Sequence, residues 1–380
     1  MNLEAKKIKL GFIGGGPNSL IGQMHQIAAA MHNQYDLVGG IFGREFSTSI
    51  SHARTLQISE DRVYSSLDAL VEGEKCLPAS ERMAVVAVLS PNSLHFEAAE
   101  RLLVEGFHVI CEKPMTTNLS DALALQKLVR KTGRIFCVTH TYTGYPMVRQ
   151  MRELIARGLL GEIRHVDACY LQGWIAPVLK SNEKSTATWR LDPNIVGDSC
   201  CFGDIGVHAF NLVEYTTGIS IEQLLADLHT GTVSNLLDVD GTALFRSSSG
   251  VRGVIRASQI AAGEENNLAI CVYGDKGALK WEQENPGELL HLPEGAPRQL
   301  YRPGNVYLGG LAAGSTKLPP GHPEGLFDAM ANIYSGAANA IKTGKIRPGS
   351  FPTIDDGVRG VRFITASLES NRHGQKWVNL

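Results

Sequence analysis

Short apolar runs alternate with amphipathic segments along the first 140 residues. The apolar runs that we interpret as strands lie at 8–13, 37–42, 63–64, 83–89, 107–111 and 135–138. The segments in which apolar residues recur at helical spacing lie at 20–31, 51–56, 95–106 and 118–133. The Val-rich run 83–89 is typical of a strand buried on both faces. This alternation predicts a doubly wound parallel sheet, a Rossmann-type α/β domain covering residues 1–140.

The pattern changes after residue 140 to alternation with a period of two. Such strands are predicted at 166–170, 239–245, 251–258, 268–272 and 279–281, with a Ser-Ser-Ser-Gly turn and a Gly-Asp-Lys-Gly turn between them. Helices are predicted at 148–157, 327–342 and 355–372, and the Pro- and Gly-rich segment 286–323 is expected to be a surface excursion. We therefore expect an α+β domain with a large, mainly antiparallel sheet over residues 141–380, whose last helix is able to pack back on the first domain.

Composition narrows the class of protein. The formal net charge of the 380 residues is −2, so no basic surface argues for a nucleic-acid or anionic-membrane partner. The longest strongly apolar stretch, 83–89, is far shorter than the ~20 residues that a membrane helix needs. Seven cysteines without a C-x-x-C pair indicate reduced thiols, and no targeting segment is visible. We expect a cytoplasmic protein, and we find no motif that requires a metal.

A glycine-rich turn joins the first strand to the first helix. It consists of Gly14, Gly15, Gly16, Pro17, Asn18 and Ser19. Glycines let the backbone approach a pyrophosphate, and the helix N-terminus supplies free N–H groups and a partial positive charge. The third position of the usual fingerprint is Ser19 rather than Gly or Ala, and a plain tight turn is the alternative. The strand–turn–helix context favours a site for NAD or NADP.

The residue that would contact the ribose leaves the choice of cofactor open. An NAD enzyme usually places an acidic residue at the end of the second strand. Here that strand ends without one, and Arg44 follows. Arg44 is suited to a 2′-phosphate, which favours NADP, or is simply a solvated side chain. Glu45, one residue further, is suited to NAD.

Two further motifs resemble one family. They are Cys111-Glu112-Lys113-Pro114 at a predicted strand end and Gly203-Asp204-Ile205-Gly206-Val207-His208 in the second half. Together with Pro91-Asn92, they resemble the Gfo/Idh/MocA oxidoreductases, which include glucose–fructose oxidoreductase and inositol dehydrogenase. The Gly-Gly-Gly-Pro turn followed by Ile21, Gly22 and His25, the run 141–146 and the pair Trp189-Arg190 resemble the branch that includes levoglucosan dehydrogenase.

Lys113, Asp204 and His208 make chemical sense as a catalytic set. Oxidation of an alcohol needs a base for the hydroxyl proton, and imidazole groups generally titrate near neutrality. The resemblance implies that His208 is this base and that Lys113 positions the substrate or relays its proton. Asp204 would orient His208 or bind a neighbouring hydroxyl, and the two share a face if the stretch is helical. Taken singly, the three residues also fit a surface lysine, a helix N-cap and a core histidine.

The resemblance also implies further contacts. Cofactor contacts are expected at Pro91, Asn92, His95, Glu112 and Lys113, although His95 also fits a helix residue packed on the sheet. Independently of the resemblance, contacts with a polyol are expected at Tyr142, Trp174, Trp189, Arg190 and His322, in addition to Lys113, Asp204 and His208, because aromatic faces stack on sugar C–H surfaces and Arg donates to hydroxyls. Ordinary packing or exposure is the alternative for each. The family's usual Asp three residues after His208 is Asn211 here, so we assign it no titrating role.

The expected function is hydride transfer between a nicotinamide and a secondary hydroxyl or ketone of a sugar, sugar derivative or cyclitol. This requires the amine of Lys113 and the imidazole of His208 to act beside one nicotinamide ring. A catalytically silent dinucleotide-binding regulator and an NAD-dependent glycosidase are the alternatives within the same family. Relatives associate through the second-half sheet, so we expect a homodimer or homotetramer.

Overall fold

A computed structural model describes residues 6–180, 188–231 and 237–380. These residues form two compact units. The first contains the described residues up to Thr116, together with Ser120–Thr139 and Met330–Gly357. The second contains the rest, including the described part of His140–Ala329 and all of Val358–Leu380.

The first unit has a five-stranded, entirely parallel sheet. Its strands are β1 (Ile8–Gly14), β2 (Tyr35–Ile41), β3 (Val85–Leu89), β4 (His108–Cys111) and β5 (Phe136–Val138), in the order β2-β1-β3-β4-β5. All five residues of β3 are buried, as the Val-rich run predicts. The predicted Rossmann sheet is confirmed, but the predicted strand at 63–64 is wrong. Val63 makes only an isolated bridge to Gly40, because no further residues of that segment extend the ladder.

The helices of this unit follow the predicted alternation with one addition. They are α1 (Leu20–Met31), α2 (Phe46–Thr55), α3 (Leu67–Cys76), α4 (His95–Val104) and α5 (Leu119–Thr132), whose first residue belongs to the second unit. Helix α1 has the predicted bounds, whereas α2 begins at 46 rather than 51. The sequence interpretation missed α3, which Ser66 caps by accepting a hydrogen bond from the Ala69 N–H over 3.1 Å.

The second unit is built on a nine-stranded sheet. Its strands are β6 (Ile163–Leu171), β7 (Ile221–His229), β8 (Asp240–Ser247), β9 (Arg252–Ser258), β10 (Asn267–Gly274), β11 (Gly277–Glu282), β12 (Leu289–Pro293), β13 (Gln299–Tyr301) and β14 (Val378–Asn379). The order is β13-β12-β11-β10-β6-β9-β8-β7-β14, and only the β6–β9 pair is parallel. The predicted mainly antiparallel sheet is confirmed.

The interpretation of 286–323 as a surface excursion is wrong. Strands β12 and β13 extend the sheet there, and a short helix, α10 (Gly310–Ser315), follows. Leu289 pairs with Trp281 of β11, and both side chains are buried. Most of the Pro and Gly residues of this segment lie between these short elements, so local composition concealed the elements.

Helices cover one face of this sheet. They include α6 (Pro146–Ala156) and α9 (Val207–Thr217), beside the short helices α7 (Ile175–Lys180) and α8 (Pro193–Val196). The helices α11 (Leu326–Thr343) and α12 (Ile354–Arg372) contribute residues to both units. On β8 and β10, alternate side chains such as Leu244 and Tyr273 lie on the opposite face and are exposed. Among the residues that the structure describes, no helix is both long and apolar enough to cross a membrane.

Candidate active site

The glycine-rich turn has a backbone that side chains would obstruct. Gly14 and Gly15 adopt φ values of 91° and 70°, and Asn18 adopts 66°. These angles lie in the left-handed region that glycine and asparagine tolerate best. A Cβ at Gly16 would lie 1.8 Å from the carbonyl oxygen of Phe42. The conformation of this turn therefore requires glycine, and this favours a phosphate-binding turn over a plain tight turn.

Gly22 takes the close-packing role that the usual fingerprint gives to its third glycine. A Cβ on Gly22 would lie 2.3 Å from the carbonyl oxygen of Gly15, so α1 can approach the turn only because this position is glycine. Ser19, which the sequence interpretation placed at the third position, is instead the N-cap. Its Oγ accepts a hydrogen bond from the Gly22 N–H over 3.0 Å. Ser19 keeps the third position of the fingerprint by spacing, while Gly22 makes the close contact with the turn.

The turn and α1 border a cavity of about 490 Å³. His52 and Thr55 of α2 line its other side, while Pro17 is exposed beside it. The N-terminus of α1, whose first turn carries no acidic side chain, faces the turn with its partial positive charge. These features fit a pyrophosphate group. Arg44, after β2, is exposed, as either of its two interpretations requires.

Glu112 lies at the centre of a hydrogen-bond network at the end of β4. Its Oε1 lies 2.9 Å from His25 Nε2 and accepts a hydrogen bond from the Thr139 hydroxyl, and His25 Nδ1 lies 2.7 Å from the Tyr334 hydroxyl. Burial alone would raise the pKa of Glu112. The hydrogen bond and charge of His25, followed by the charge of Lys113, lower it to about 2. Glu112 is therefore a fixed negative charge beside Lys113.

Lys113 follows β4 directly, at the carboxyl end of the parallel sheet. Its side chain is partly exposed, and its peptide bond to Pro114 is cis. Ligands of open α/β sheets bind at this end of the strands. The partly exposed Pro91 and Asn92 follow the neighbouring strand β3 at the same end.

His95 does not face solvent, so its expected contact with the cofactor is wrong. The residue is 0% exposed. Its Nδ1 lies 3.0 Å from the Pro114 carbonyl oxygen and its Nε2 lies 2.8 Å from that of Ser90. His95 thus joins the segments that follow β3 and β4, and burial lowers its pKa. Packing on the sheet, the alternative interpretation, describes its position.

In the second unit, a π-helical turn presents Asp204. The turn covers Phe202–Gly206 and continues directly into α9, which carries His208. Asp238, which is buried, accepts hydrogen bonds from the N–H groups of Cys200 at 2.9 Å and Phe202 at 2.7 Å. π-Turns inside helices are frequent at functional sites. The Asp238 carboxylate therefore holds the start of the segment that carries Asp204 and His208.

His208 is buried among aromatic side chains. Its Nδ1 lies 3.4 Å from the Nδ1 of His140, and the two rings are perpendicular. The Tyr142 ring meets that of His208 edge to face at 4.8 Å between centroids, and the Tyr170 ring lies at 6.1 Å. The Tyr142 and Tyr170 hydroxyls share a short hydrogen bond. One turn further along α9, Asn211 Oδ1 is buried without a hydrogen-bond partner among the described residues. It can accept a hydrogen bond from a substrate hydroxyl.

The structure brings several expected substrate contacts together around Asp204. Arg190 Nε lies 3.7 Å from Asp204 Oδ2, and its guanidinium lies over the Trp174 and Trp189 rings at 5.5 and 4.4 Å. Asp204 Oδ2 also accepts a 2.9 Å hydrogen bond from Gln259. Gln259, which the sequence interpretation did not name, thus joins Arg190 in holding the carboxylate.

His322 does not join this group in any contact that we find among the described residues. Its side chain is exposed, and its Nδ1 lies 3.2 Å from the Pro319 carbonyl oxygen. Ordinary surface exposure, the alternative, describes it. The expected contact of His322 with a polyol stays a prediction.

Sequence reasoning missed four residues that position the candidate groups. They are His25, His140, Asp238 and Gln259. The sequence does point to His25, because this residue follows the glycine-rich turn in the motif that resembles the levoglucosan dehydrogenase branch. The other three are separated from their partners by 36 to 68 positions, so no local spacing reveals them.

Comparison with known proteins agrees with this geometry. A family model described as "Oxidoreductase family, NAD-binding Rossmann fold" matches residues 8–140, and the "GFO/IDH/MocA C-terminal domain" matches residues 148–280. A crystal structure of an inositol dehydrogenase homologue from Azotobacter vinelandii, complexed with NAD⁺, is 32% identical. It has a TM-score of 0.93 and covers 99% of this chain and 98% of that one. The chain belongs to the Gfo/Idh/MocA oxidoreductase family.

Two further relatives carry sugar-type ligands or names. A structure of an inositol dehydrogenase homologue from the same organism, complexed with NADH and myo-inositol, is 30% identical with a TM-score of 0.90, covering 99% of this chain and 98% of that one. The levoglucosan dehydrogenase of Pseudarthrobacter phenanthrenivorans is 27% identical over 78% of this chain and 80% of its own. The predicted family is confirmed, as is the predicted proximity to the levoglucosan dehydrogenase branch, and this Gfo/Idh/MocA protein is an NAD-binding oxidoreductase.

Proposed function

We propose that this protein oxidises a secondary hydroxyl of a cyclitol or a sugar with NAD as hydride acceptor. The observation that carries the proposal is the set on the π-turn and α9. Asp204, His208 and Asn211 lie within eight consecutive residues, and they supply a carboxylate, an imidazole and an unpartnered amide oxygen. Such a set suits a substrate with several neighbouring hydroxyls. The relatives that bind myo-inositol or are named for levoglucosan support the same class.

His208 takes the hydroxyl proton in this proposal. A bound NAD⁺ would supply the hydride acceptor for the substrate carbon, and oxidation of the alcohol to the ketone would leave the hydroxyl proton on His208. Lys113 donates a hydrogen bond to the reacting oxygen and stabilises the negative charge that develops on it. Glu112, ionised beside Lys113, keeps that ammonium in place. Asp204 and Arg190 hold neighbouring hydroxyls.

The turn from Gly14 to Ser19, with the N-terminus of α1, holds the pyrophosphate in this proposal. We propose NAD rather than NADP, because both reported inositol dehydrogenase homologue structures contain NAD⁺ or NADH. Exposed Arg44 is then a solvated side chain.

Self-association is part of the same proposal. The sheet face that carries Leu244 and Tyr273 is exposed and partly apolar, and we propose that it joins copies into a dimer or tetramer. Light scattering of wild-type protein and a Leu244→Asp variant tests this. Loss of the larger species in the variant supports the sheet face, and unchanged mass contradicts it.

The test of function is formation of reduced nicotinamide with NAD or NADP and a panel of inositols, anhydrosugars and simple sugars. We expect steady reduction of NAD with at least one cyclitol or sugar, and a large loss in His208→Gln and Lys113→Met variants. His373→Ala is the matched control, since that histidine is exposed just after α12 and its Nδ1 lies 2.9 Å from the Glu369 carbonyl oxygen. Cofactor binding without turnover on the whole panel contradicts the proposal and favours a regulator. Glycoside cleavage without net reduction contradicts it in favour of a glycosidase.

A further inference from the structure

His140 and His208 form a buried pair whose ring nitrogens face each other. The residues are 2% and 7% exposed, and their Nδ1 atoms are 3.4 Å apart. This distance is near the upper limit for a hydrogen bond, and such bonds of catalytic groups often shorten when substrate binds. His140 follows β5, and the Thr143 hydroxyl donates a 2.9 Å hydrogen bond to its carbonyl oxygen. The backbone of His140 is thus anchored independently of His208.

Facing Nδ1 atoms constrain the protons on the two rings. If both Nδ1 atoms carried hydrogens they would repel, and if neither did two lone pairs would oppose each other. The favourable arrangement therefore has one Nδ1–H donor and one acceptor. A base must keep a lone pair on the nitrogen that takes the substrate proton. If His208 accepts that proton at Nε2, its Nδ1 carries the hydrogen and donates it to His140.

We propose that His140 is a positioning residue that fixes His208 as the Nδ1–H tautomer and thereby presents Nε2 for proton acceptance. The inference rests on the proposed function, in which His208 is the base. His140 plays the part that a carboxylate plays beside a catalytic histidine, but as a neutral acceptor. The Tyr142 ring, perpendicular to that of His208, and the tilted Tyr170 ring restrict rotation of the His208 ring.

Three variants at position 140 separate this role from simple packing. His140→Ala removes the acceptor. His140→Asn can place an amide oxygen near the former Nδ1 position. The side chain of His140→Gln is longer and cannot place its amide oxygen there without pushing the His208 ring aside. We expect kcat to fall about 10- to 100-fold in the Ala variant, with little change in KM for substrate or NAD. The Asn variant should recover most of the rate. His291→Ala is the control, because it removes another buried imidazole from the same unit, on β12.

A second measurement reads the tautomer directly and needs no turnover. Ring-nitrogen NMR of histidine-labelled protein is recorded for wild type and His140→Ala, and the His208 signals are assigned by their absence in His208→Gln. We expect one Nδ1–H tautomer of His208 in wild type and in His140→Asn, and a mixture in His140→Ala. An unchanged single tautomer in His140→Ala, or wild-type kcat in that variant, overturns the proposal.

The two measurements distinguish the two failures. If wild type oxidises no member of the panel, the proposed function fails while the NMR spectra still decide the pair. If His208→Gln loses activity but His140→Ala retains it, the function stands and the positioning role of His140 is refuted.

Discussion

Gly16→Ala is the sharpest test of the phosphate turn. The added Cβ would lie 1.8 Å from the Phe42 carbonyl oxygen, about 1.6 Å short of the 3.4 Å at which ordinary contact begins. That oxygen belongs to the backbone just after β2 and cannot rotate away. The turn must therefore move by more than an ångström, and its N–H groups will no longer align with a pyrophosphate.

A misplacement of about 1 Å in a preorganised site can cost about 100-fold. We expect the Kd for NADH to rise by roughly that factor, which corresponds to about 2.7 kcal/mol. Titration calorimetry well below the melting temperature measures the Kd, and circular dichroism verifies that the variant is folded.

The matched control is Gly287→Ala. A Cβ at Gly287 meets no atom within 4 Å, and its φ lies outside the left-handed region. This control should bind NADH like wild type. If Gly16→Ala also binds NADH with wild-type affinity while remaining folded, the assignment of this turn to the cofactor is refuted.

Three further predictions concern a cap, a buried carboxylate and the guanidinium beside the tryptophans. Ser19→Ala should lower the free energy of unfolding by about 1 kcal/mol and weaken NADH binding. Ser66→Ala, which removes the cap of α3, should lower stability without changing NADH affinity. Equal NADH affinity in the two variants contradicts the role of Ser19. Because its pKa falls from 4.5 to about 2, Glu112 stabilises the fold fully above pH 4.5, and this contribution declines toward pH 2. At pH 7 the Glu112→Gln variant should therefore have a free energy of unfolding roughly 3 kcal/mol below that of wild type, and a lower melting temperature. This gap should narrow below pH 4.5 and close only near pH 2; a gap that does not depend on pH refutes this. Arg190→Ala should raise KM more than it lowers kcat, and Arg190→Lys should not restore it, because an ammonium cannot stack on both rings as a guanidinium does; unchanged KM in steady-state kinetics contradicts a role in binding.

Periodicity sufficed for the elements that bury a continuous apolar stripe or run. Helix α1 has the bounds that its spacing predicts, and the valines of β3 indicate a strand without reference to any neighbour. Strands β12 and β13 could not be found in this way. Leu289 is buried where it pairs with Trp281 on the next strand, and pairing between strands leaves no local signature.

The candidate site shows the same division. The motifs around Lys113 and His208 identify residue types, strand ends and family. They do not reveal that Gly22, three residues after Ser19, packs on the turn. Which of the two positions packs there depends on the close approach of the α1 backbone to Gly15, and this contact is visible only in the structure. Likewise, His140 and Gln259 reach His208 and Asp204 from distant segments. The burial of His95 depends on two carbonyl groups contributed by separate strand ends.

The central claim is that Lys113 and His208 act on one hydroxyl in one step. A double-mutant cycle of kcat/KM with Lys113→Met, His208→Gln and the combined variant measures this most directly. The effects of substituting residues that act as a unit are not additive. The kcat/KM of the combined variant should therefore fall no further than that of the more damaging single variant. Losses that multiply would mean that the two side chains serve separate steps, and the account would be wrong.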